Sequence, residues 1–253
     1  MNVRDLAPGP LPPPQRSAQD LALADTLGSL PTPALIVALD VPSLSDAETL
    51  VRLLRSVTPW FKVGPVLFTR AGPDAVRMVH AAGGRVFLDL KLHDIPQTVE
   101  SSVAAAAELE VALLTVHCAA GPSALHAATT GRPQGSSLRL LGVTRLTSEA
   151  GRVGSRVLRA AEEARAAGLD GVTASARECA RIKARLGADF RVLTAGIRPA
   201  HAEAHDQARV ATPRQAVRAG ADYVVVGRPI IAAADPRAAA HAILLEMRRS
   251  VRG

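Results

Sequence analysis

Residues 85–96 read RVFLDLKLHDIP, an apolar run that would be an ordinary buried strand were Asp89, Lys91 and Asp94 not threaded through it. Asp89 and Lys91 stand two apart, so they project from the same face of a strand. A carboxylate beside an ammonium can shape a local field, and the ammonium can also deliver a proton. Apolar groups would fill such a space at lower cost, because a buried ionic cluster is rarely a net stabiliser. The set therefore points to chemistry rather than to folding.

The lysine count sharpens this. Of thirty basic residues only Lys62, Lys91 and Lys183 are lysines. A chain that writes Arg wherever a positive surface charge will do keeps Lys for work a guanidinium cannot perform, since only the amine can give up a proton in a protein. Lys62 and Lys91 fall near the ends of strand-like runs, as does Asp40. Lys183, in the helical pattern CARIKARLG between Arg181 and Arg185, is expected to be solvated. His117 also ends a strand-like run, but a lone His there is more often a hydrogen-bonded core residue than a base, and it is assigned no role.

A second polar set lies late in the chain, in TAGIRP and GRPI. Backbone N–H groups freed near glycine can meet an anion, and a helix amino end adds its dipole. Gly227 and Arg228 fit that use, Arg228 with a planar fork suited to phosphate oxygens; Gly196 and Arg198 are placed to assist. The connection from Arg198 to Thr212, containing HDQARVATP, is long for its kind and reads as a lid over a ligand.

The elements that would carry these residues alternate. Eight β-rich runs are expected at 34–40, 60–64, 85–91, 111–117, 138–144, 171–175, 190–196 and 221–227, with helical stretches between them such as DAETLVRLLRSV, VESSVAAAAELE and ARECARIKARLG. Several helices end in Gly and pass at once into the next strand, the pattern of a left-handed cap. Eight strands in βα order predict a single-domain α/β fold, a (β/α)₈ TIM barrel over residues 34–253, and roughly 250 residues is the usual size of one. In such a barrel the chemistry sits at the carboxyl ends of the strands, with phosphate held after strands seven and eight. No GxGxxG follows the first strand, so a dinucleotide site has no support. Residues 1–33 form a separate Pro-rich extension, PGPLPPPQ followed by a short amphipathic helix at 17–30.

Composition excludes other classes. The net charge of +7 comes from arginines scattered through amphipathic segments, and with four Phe, one Trp and one Tyr there is little to stack on bases, so no nucleic-acid partner is expected. No run reaches the ~18 apolar residues of a membrane span, and the amino end lacks the order of a signal peptide. Cys118 and Cys179 lie far apart with no CxxC, as thiols in a reducing compartment do. A cytoplasmic protein without a metal is expected.

Over residues 34–250 the chain resembles the orotidine 5′-phosphate decarboxylase family. The similarity rests on ALD at 38–40, KVG at 62–64, LDLKLHDIPQTV at 88–99, VTRLTS at 143–148, GIRP at 196–199, DQARVATP at 206–213 and VVGRPI at 225–230. The resemblance implies cofactor-independent conversion of orotidine 5′-phosphate (OMP) to UMP and CO₂ in de novo pyrimidine biosynthesis. It makes Lys91 the proton donor with Asp89 close to the substrate carboxylate. Asp40 and Lys62 would hold the ribose hydroxyls and extend the charge network, and Thr147 would contact the pyrimidine. Arg198, Gln207, Gly227 and Arg228 would bind the phosphate and close the lid. Asp94, Ile95 and Thr98 would reach the neighbouring subunit's site, which implies a homodimer with shared active sites. Two departures fall on loops near the ligand: Ala195 where the family usually has Pro, and HCAAG at 117–121 without the usual Gly pair. Metal-dependent sugar-phosphate aldolases and epimerases on a similar barrel share the DxKxxD string but put a carboxylate where Lys62 stands.

Overall fold

The computed structural model describes residues 33–145, 154–199 and 211–251. Eight parallel strands close in chain order into a barrel: β1 (Ala34–Ala38), β2 (Trp60–Val63), β3 (Arg85–Leu92), β4 (Leu113–His117), β5 (Arg139–Val143), β6 (Gly171–Ala174), β7 (Arg191–Thr194) and β8 (Tyr223–Val226), with β8 pairing back onto β1. Seven of the expected runs contain their strands, β3 runs one residue past its expected end to Leu92, and all ends agree to within two residues. The helices are α1 (Leu44–Leu54), α2 (Pro65–Ala71), α3 (Asp74–Ala81), α4 (Pro96–Glu108), α5 (Pro122–Thr130), α6 (Gly154–Ala166), α7 (Ala176–Leu186), α8 (Pro213–Arg218), α9 (Arg228–Ile231) and α10 (Pro236–Val251). The amphipathic helix expected at 17–30 lies outside the described residues.

Local chemistry explains the punctuation. Proline is the first residue of α2, α4, α5, α8 and α10, where its missing N–H is not needed and its fixed φ suits the helix. Ser43 and Ser175 cap α1 and α7 with side-chain oxygens, and Thr212 with Gln215 forms a reciprocal capping box on α8. Gly83, Gly168, Gly187 and Gly220, which follow helices, have φ between 78° and 93°, the backbone that the sequence pattern led one to expect.

Alternation along each strand divides the apolar residues into two sets. Leu35, Val37, Phe61, Val63, Val86, Leu88, Leu114, Val116, Val172, Val192 and Val224 face the helices and form one continuous core with them. The alternate positions face the barrel interior. At the amino ends of the strands the lone Trp60 and Tyr223 meet edge to face, ring centroids 5.6 Å apart, with Arg85 over the Trp60 ring and Arg139 donating to the Tyr223 hydroxyl at 2.9 Å. This floor closes one end and leaves the carboxyl end for the site.

The expectation for Lys183 is corrected here. Its ammonium is directed inward, donating to Asp222 Oδ2 at 2.6 Å and to the carbonyls of Ala188 and Phe190, both at 2.9 Å. Asp222, whose side chain is 8% exposed, also accepts from Arg191 and from the Val192 backbone N–H. An ammonium presents three donors in a compact tetrahedral head that a planar guanidinium cannot match in this corner. Lys183→Met is expected to lower unfolding free energy by about 2–3 kcal/mol in urea titration while leaving turnover unchanged, because the pair sits at the barrel's amino end. A change under about 0.5 kcal/mol would return Lys183 to the solvated surface.

Cys118 and Cys179 are buried, and burial pushes both thiols up to about 12, so neither serves as a nucleophile near neutral pH. Among the described residues no helix is long and apolar enough to cross a membrane.

Candidate active site

Four charged side chains from three adjacent strands meet at the carboxyl end of the barrel. Ala38 of β1 is in register with Lys62 of β2, and Lys62 with Phe87 of β3. Asp40, two residues beyond Ala38, thus sits beside Lys62, and Asp89 lies one inward step past Phe87. Lys62 Nζ is 3.1 Å from Asp40 Oδ1 and 3.7 Å from Asp89 Oδ2, and Lys91 Nζ is 2.7 Å from the same Asp89 oxygen. The order Asp40, Lys62, Asp89, Lys91 alternates in sign without a break. Burial falls from the centre outward: the Lys62 and Asp89 side chains are each 12% exposed, against 33% for Lys91 and 50% for Asp40. Gly64 keeps this corner open, since a Cβ there would lie 3.2 Å from both Asp40 Oδ1 and Lys62 Nζ.

The strand that carries the pair is irregular where it matters. Leu88 pairs with Leu114, but the next pairing is Leu92 with Val116, so Asp89, Leu90 and Lys91 face the single residue Thr115. Lys91 has φ 51°. The left-handed region costs a residue with a Cβ about 1 kcal/mol or more, and such backbone persists where its surroundings over-determine it. Two hydrogen bonds do so here: the Lys91 backbone N–H donates to Thr115 Oγ1 at 2.9 Å, and the Thr115 hydroxyl donates to Asp89 Oδ1 at 3.0 Å. The bulge displaces pairing by an even count, so Asp89 and Lys91 still share the interior face, as their spacing led one to expect.

A cavity of about 100 Å³ opens above them. Lys62, Asp89, Lys91, Arg145 and Thr173 supply its polar wall, and Phe87, Val143, Leu193, Ala195 and Val225 its apolar one. Sequence reasoning had singled out the first three and noted Ala195 only as a departure; Arg145, Thr173 and Thr115 it missed. Their signal was parity alone, because Thr115 shares its strand face with His117, and Arg145 with Val143.

The late polar set gathers as well. Gly196, at φ 72°, turns the chain after β7, and Ile197 bridges to Ala211, with Arg198 N–H donating to Ala211 O at 2.9 Å. Arg198 is 6% exposed. Burial, and then the cation of Arg228, hold its guanidinium below the usual arginine range, so two like charges face one region after β7 and β8. Arg198 Nη1 donates to Ile197 O, while its buried Nε has no hydrogen-bond partner among the described residues. Arg228 is exposed at the first turn of α9, which Gly227 precedes.

Asp94, Ile95 and Thr98 do not line the cavity and are exposed, the first two between β3 and α4 and Thr98 in the first turn of α4. Asp94 Oδ1 accepts from the Ile95 N–H at 2.7 Å, and Ile95 is 65% exposed, an apolar side chain presented to the outside. Thr147 and Gln207 fall outside the described residues, as does most of the expected lid. His117 accepts from the Ala119 N–H at 3.1 Å, capping a short 3₁₀ turn, and its ring stacks on His93. His117 is thus hydrogen-bonded, as expected, but half-buried at the end of β4 rather than part of the core.

Comparison with known proteins agrees with this geometry. Residues 33–243 match the model of the orotidine 5′-phosphate decarboxylase / HUMPS family. The chain is 48% identical over 230 residues to the orotidine 5′-phosphate decarboxylase of Moorella thermoacetica, covering 84% of this chain and 91% of that one. It is 46% identical over 229 residues to the enzyme of the same name from Syntrophotalea carbinolica, covering 84% and 94%. The crystal structure of orotidine 5′-phosphate decarboxylase from Lactobacillus acidophilus is similar with a TM-score of 0.70 at 36% identity, over 85% of this chain and 98% of that one. The closed barrel, the four-charge chain at its mouth and the extent of these matches together establish that the chain belongs to the orotidine 5′-phosphate decarboxylase / HUMPS family.

Proposed function

We propose that the chain converts OMP to UMP and CO₂, the step that completes UMP synthesis, with Lys91 as the proton donor to C6. The observation that carries this reading is the unbroken chain Asp40, Lys62, Asp89, Lys91 beside the cavity. Breaking the bond between C6 and the carboxylate leaves an electron pair on C6 that the ring delocalises poorly. Catalysis then depends on a cation already standing at C6 and on rapid protonation. The Lys91 ammonium supplies both; its proton goes to C6, CO₂ leaves, and solvent reprotonates the amine. Asp89 holds the Lys91 ammonium close, at 2.7 Å, and its own charge opposes the substrate carboxylate in the ground state.

Lys62 supports this chemistry over that of metal-dependent barrel relatives, because an ammonium stands between the two carboxylates that a divalent cation would otherwise bridge. Asp40 and Lys62 would hold the ribose hydroxyls and Thr147 the pyrimidine. Arg198, whose guanidinium is held low by burial and by the Arg228 cation, and Arg228 at the first turn of α9 suit the 5′-phosphate, assisted by Gly227 and Gln207. Binding energy from that remote phosphate would stabilise the closed state and so raise turnover as well as affinity. The rim residues Asp94, Ile95 and Thr98 are exposed and do not line the cavity, which favours a homodimer in which they complete the partner's site.

The direct test follows the ultraviolet absorbance change from OMP to UMP with purified protein, in the presence and absence of EDTA. Conversion that EDTA leaves intact is expected. Absence of conversion refutes the activity, and inhibition by EDTA that Mg²⁺ reverses refutes the metal-free mechanism.

A further inference from the structure

Thr115 reads in sequence as one β-former among the apolar residues of LLTVH, yet it is fully buried and is the only β4 residue opposite the three-residue bulge of β3. In a regular ladder the amide of Lys91 would donate to a backbone carbonyl of the neighbouring strand. Here it donates to the Thr115 hydroxyl, so a side chain replaces the partner that the bulge removes. The direction of each bond is forced. A backbone N–H can only donate, an ionised carboxylate can only accept, and the hydroxyl has one proton to give. Thr115 Oγ1 therefore accepts from Lys91 N–H and spends its proton on Asp89 Oδ1.

With Oδ1 engaged, the second oxygen of Asp89 is turned to the two ammonium groups, 2.7 Å from Lys91 Nζ and 3.7 Å from Lys62 Nζ. A closed ring results, running from the Lys91 amide through Thr115 and Asp89 back to the Lys91 ammonium. It holds the proposed proton donor at both ends, backbone and head group, in a conformation that a residue with a Cβ does not adopt readily.

Resting on the reading of Lys91 as proton donor, we infer that Thr115 is a positioning residue whose hydroxyl sets where the Lys91 ammonium stands. It does not line the cavity. Its hydrogen bonds run to Lys91 and Asp89 and not to Asp40, Lys62, Arg198 or Arg228, so its loss acts on the chemical step more than on binding.

The test compares Thr115→Val, which keeps the shape and removes both hydrogen bonds, with Thr115→Ser, which keeps the hydroxyl. Thr115→Val is expected to lower kcat for OMP by ~10- to 100-fold, the scale of loss for a catalytic group displaced by about an ångström. KM and the dissociation constant of UMP should stay within about threefold, and Thr115→Ser should recover kcat to within about threefold of wild type. If Thr115→Val does not fold, Thr115→Cys, whose thiol is a weak donor, takes its place in the same comparison. The inference is overturned if kcat of the folded variant stays within about twofold of wild type, if melting temperature alone changes, or if Ser fails to rescue. Wild-type protein that does not convert OMP sinks the underlying reading itself, whereas active wild type with an unaffected Thr115→Val sinks the role of Thr115 alone.

Discussion

Lys91→Ala is expected to lower kcat for OMP decarboxylation by about 10³-fold or more while UMP still binds. A positioned general acid contributes roughly 10²–10⁴-fold, and here the same group also supplies the cation facing a developing carbanion, so both contributions disappear together. Binding should survive because the cations suited to phosphate, Arg198 and Arg228, come from the loops after β7 and β8 and share no hydrogen bond with Lys91. Lys91→Arg should be almost as inactive. It restores positive charge, but a guanidinium does not give up a proton in this pH range, and its planar fork replaces a compact head held 2.7 Å from Asp89. Steady-state kinetics with OMP, paired with calorimetric binding of UMP, read the two effects separately. Activity near wild type in Lys91→Ala would exclude it as the proton donor, and parallel loss of UMP binding would move its role from chemistry to recognition.

The barrel was legible because its signals are local. Eight β-rich runs, each closed by turn residues and followed by a helical period, leave few topologies for 253 residues, and glycine and proline marked the helix ends by mechanisms that act within a few residues. The charges of the site were legible for a different reason. Lysine is so rare in this chain that each one signals a place where guanidinium will not serve. For Lys183 that signal gave way to a solvated helix position, and the structure corrects this. Rarity identifies a demand for an ammonium, and the demand at Lys183 is geometric, three acceptors converging on one small head. Nothing in CARIKARLG distinguishes such a corner from solvent, because the acceptors come from the loop before β7 and from Asp222 at the base of β8. Thr115 was hidden for the same kind of reason. Its role depends on a bulge in the neighbouring strand, and register between strands is a tertiary fact. The bulge also explains why Asp89 and Lys91 keep a common face without regular extended backbone between them. The spacing argument thus reached the right face, although the geometry that secures it was not visible in the spacing.

The rim residues lead to the second large effect. Asp94 is three positions from Lys91 but belongs to a different environment: its carboxylate accepts from the backbone at the start of α4, it is exposed, and it does not line the cavity that Lys91 lines. If it completes the partner's site, Asp94→Ala and Lys91→Ala each inactivate every site of their own homodimer, by different losses. Subunit exchange between the two inactive proteins then forms heterodimers in which one site carries both defects and the other carries neither. Half of the randomly formed dimers are of this kind and each has one intact site, so activity should rise from near zero to about a quarter of the wild-type value per subunit. The prediction separates two architectures sharply. Were Asp94 and Lys91 to serve the same protomer's site, every site in the mixture would keep one defect and mixing would recover nothing. Gel filtration of the mixture establishes whether dimers exist to exchange. A monomer that is fully active, or a mixed dimer that stays inactive, would remove Asp94 from the shared site and leave the exposed Ile95 beside it without the interface proposed for it.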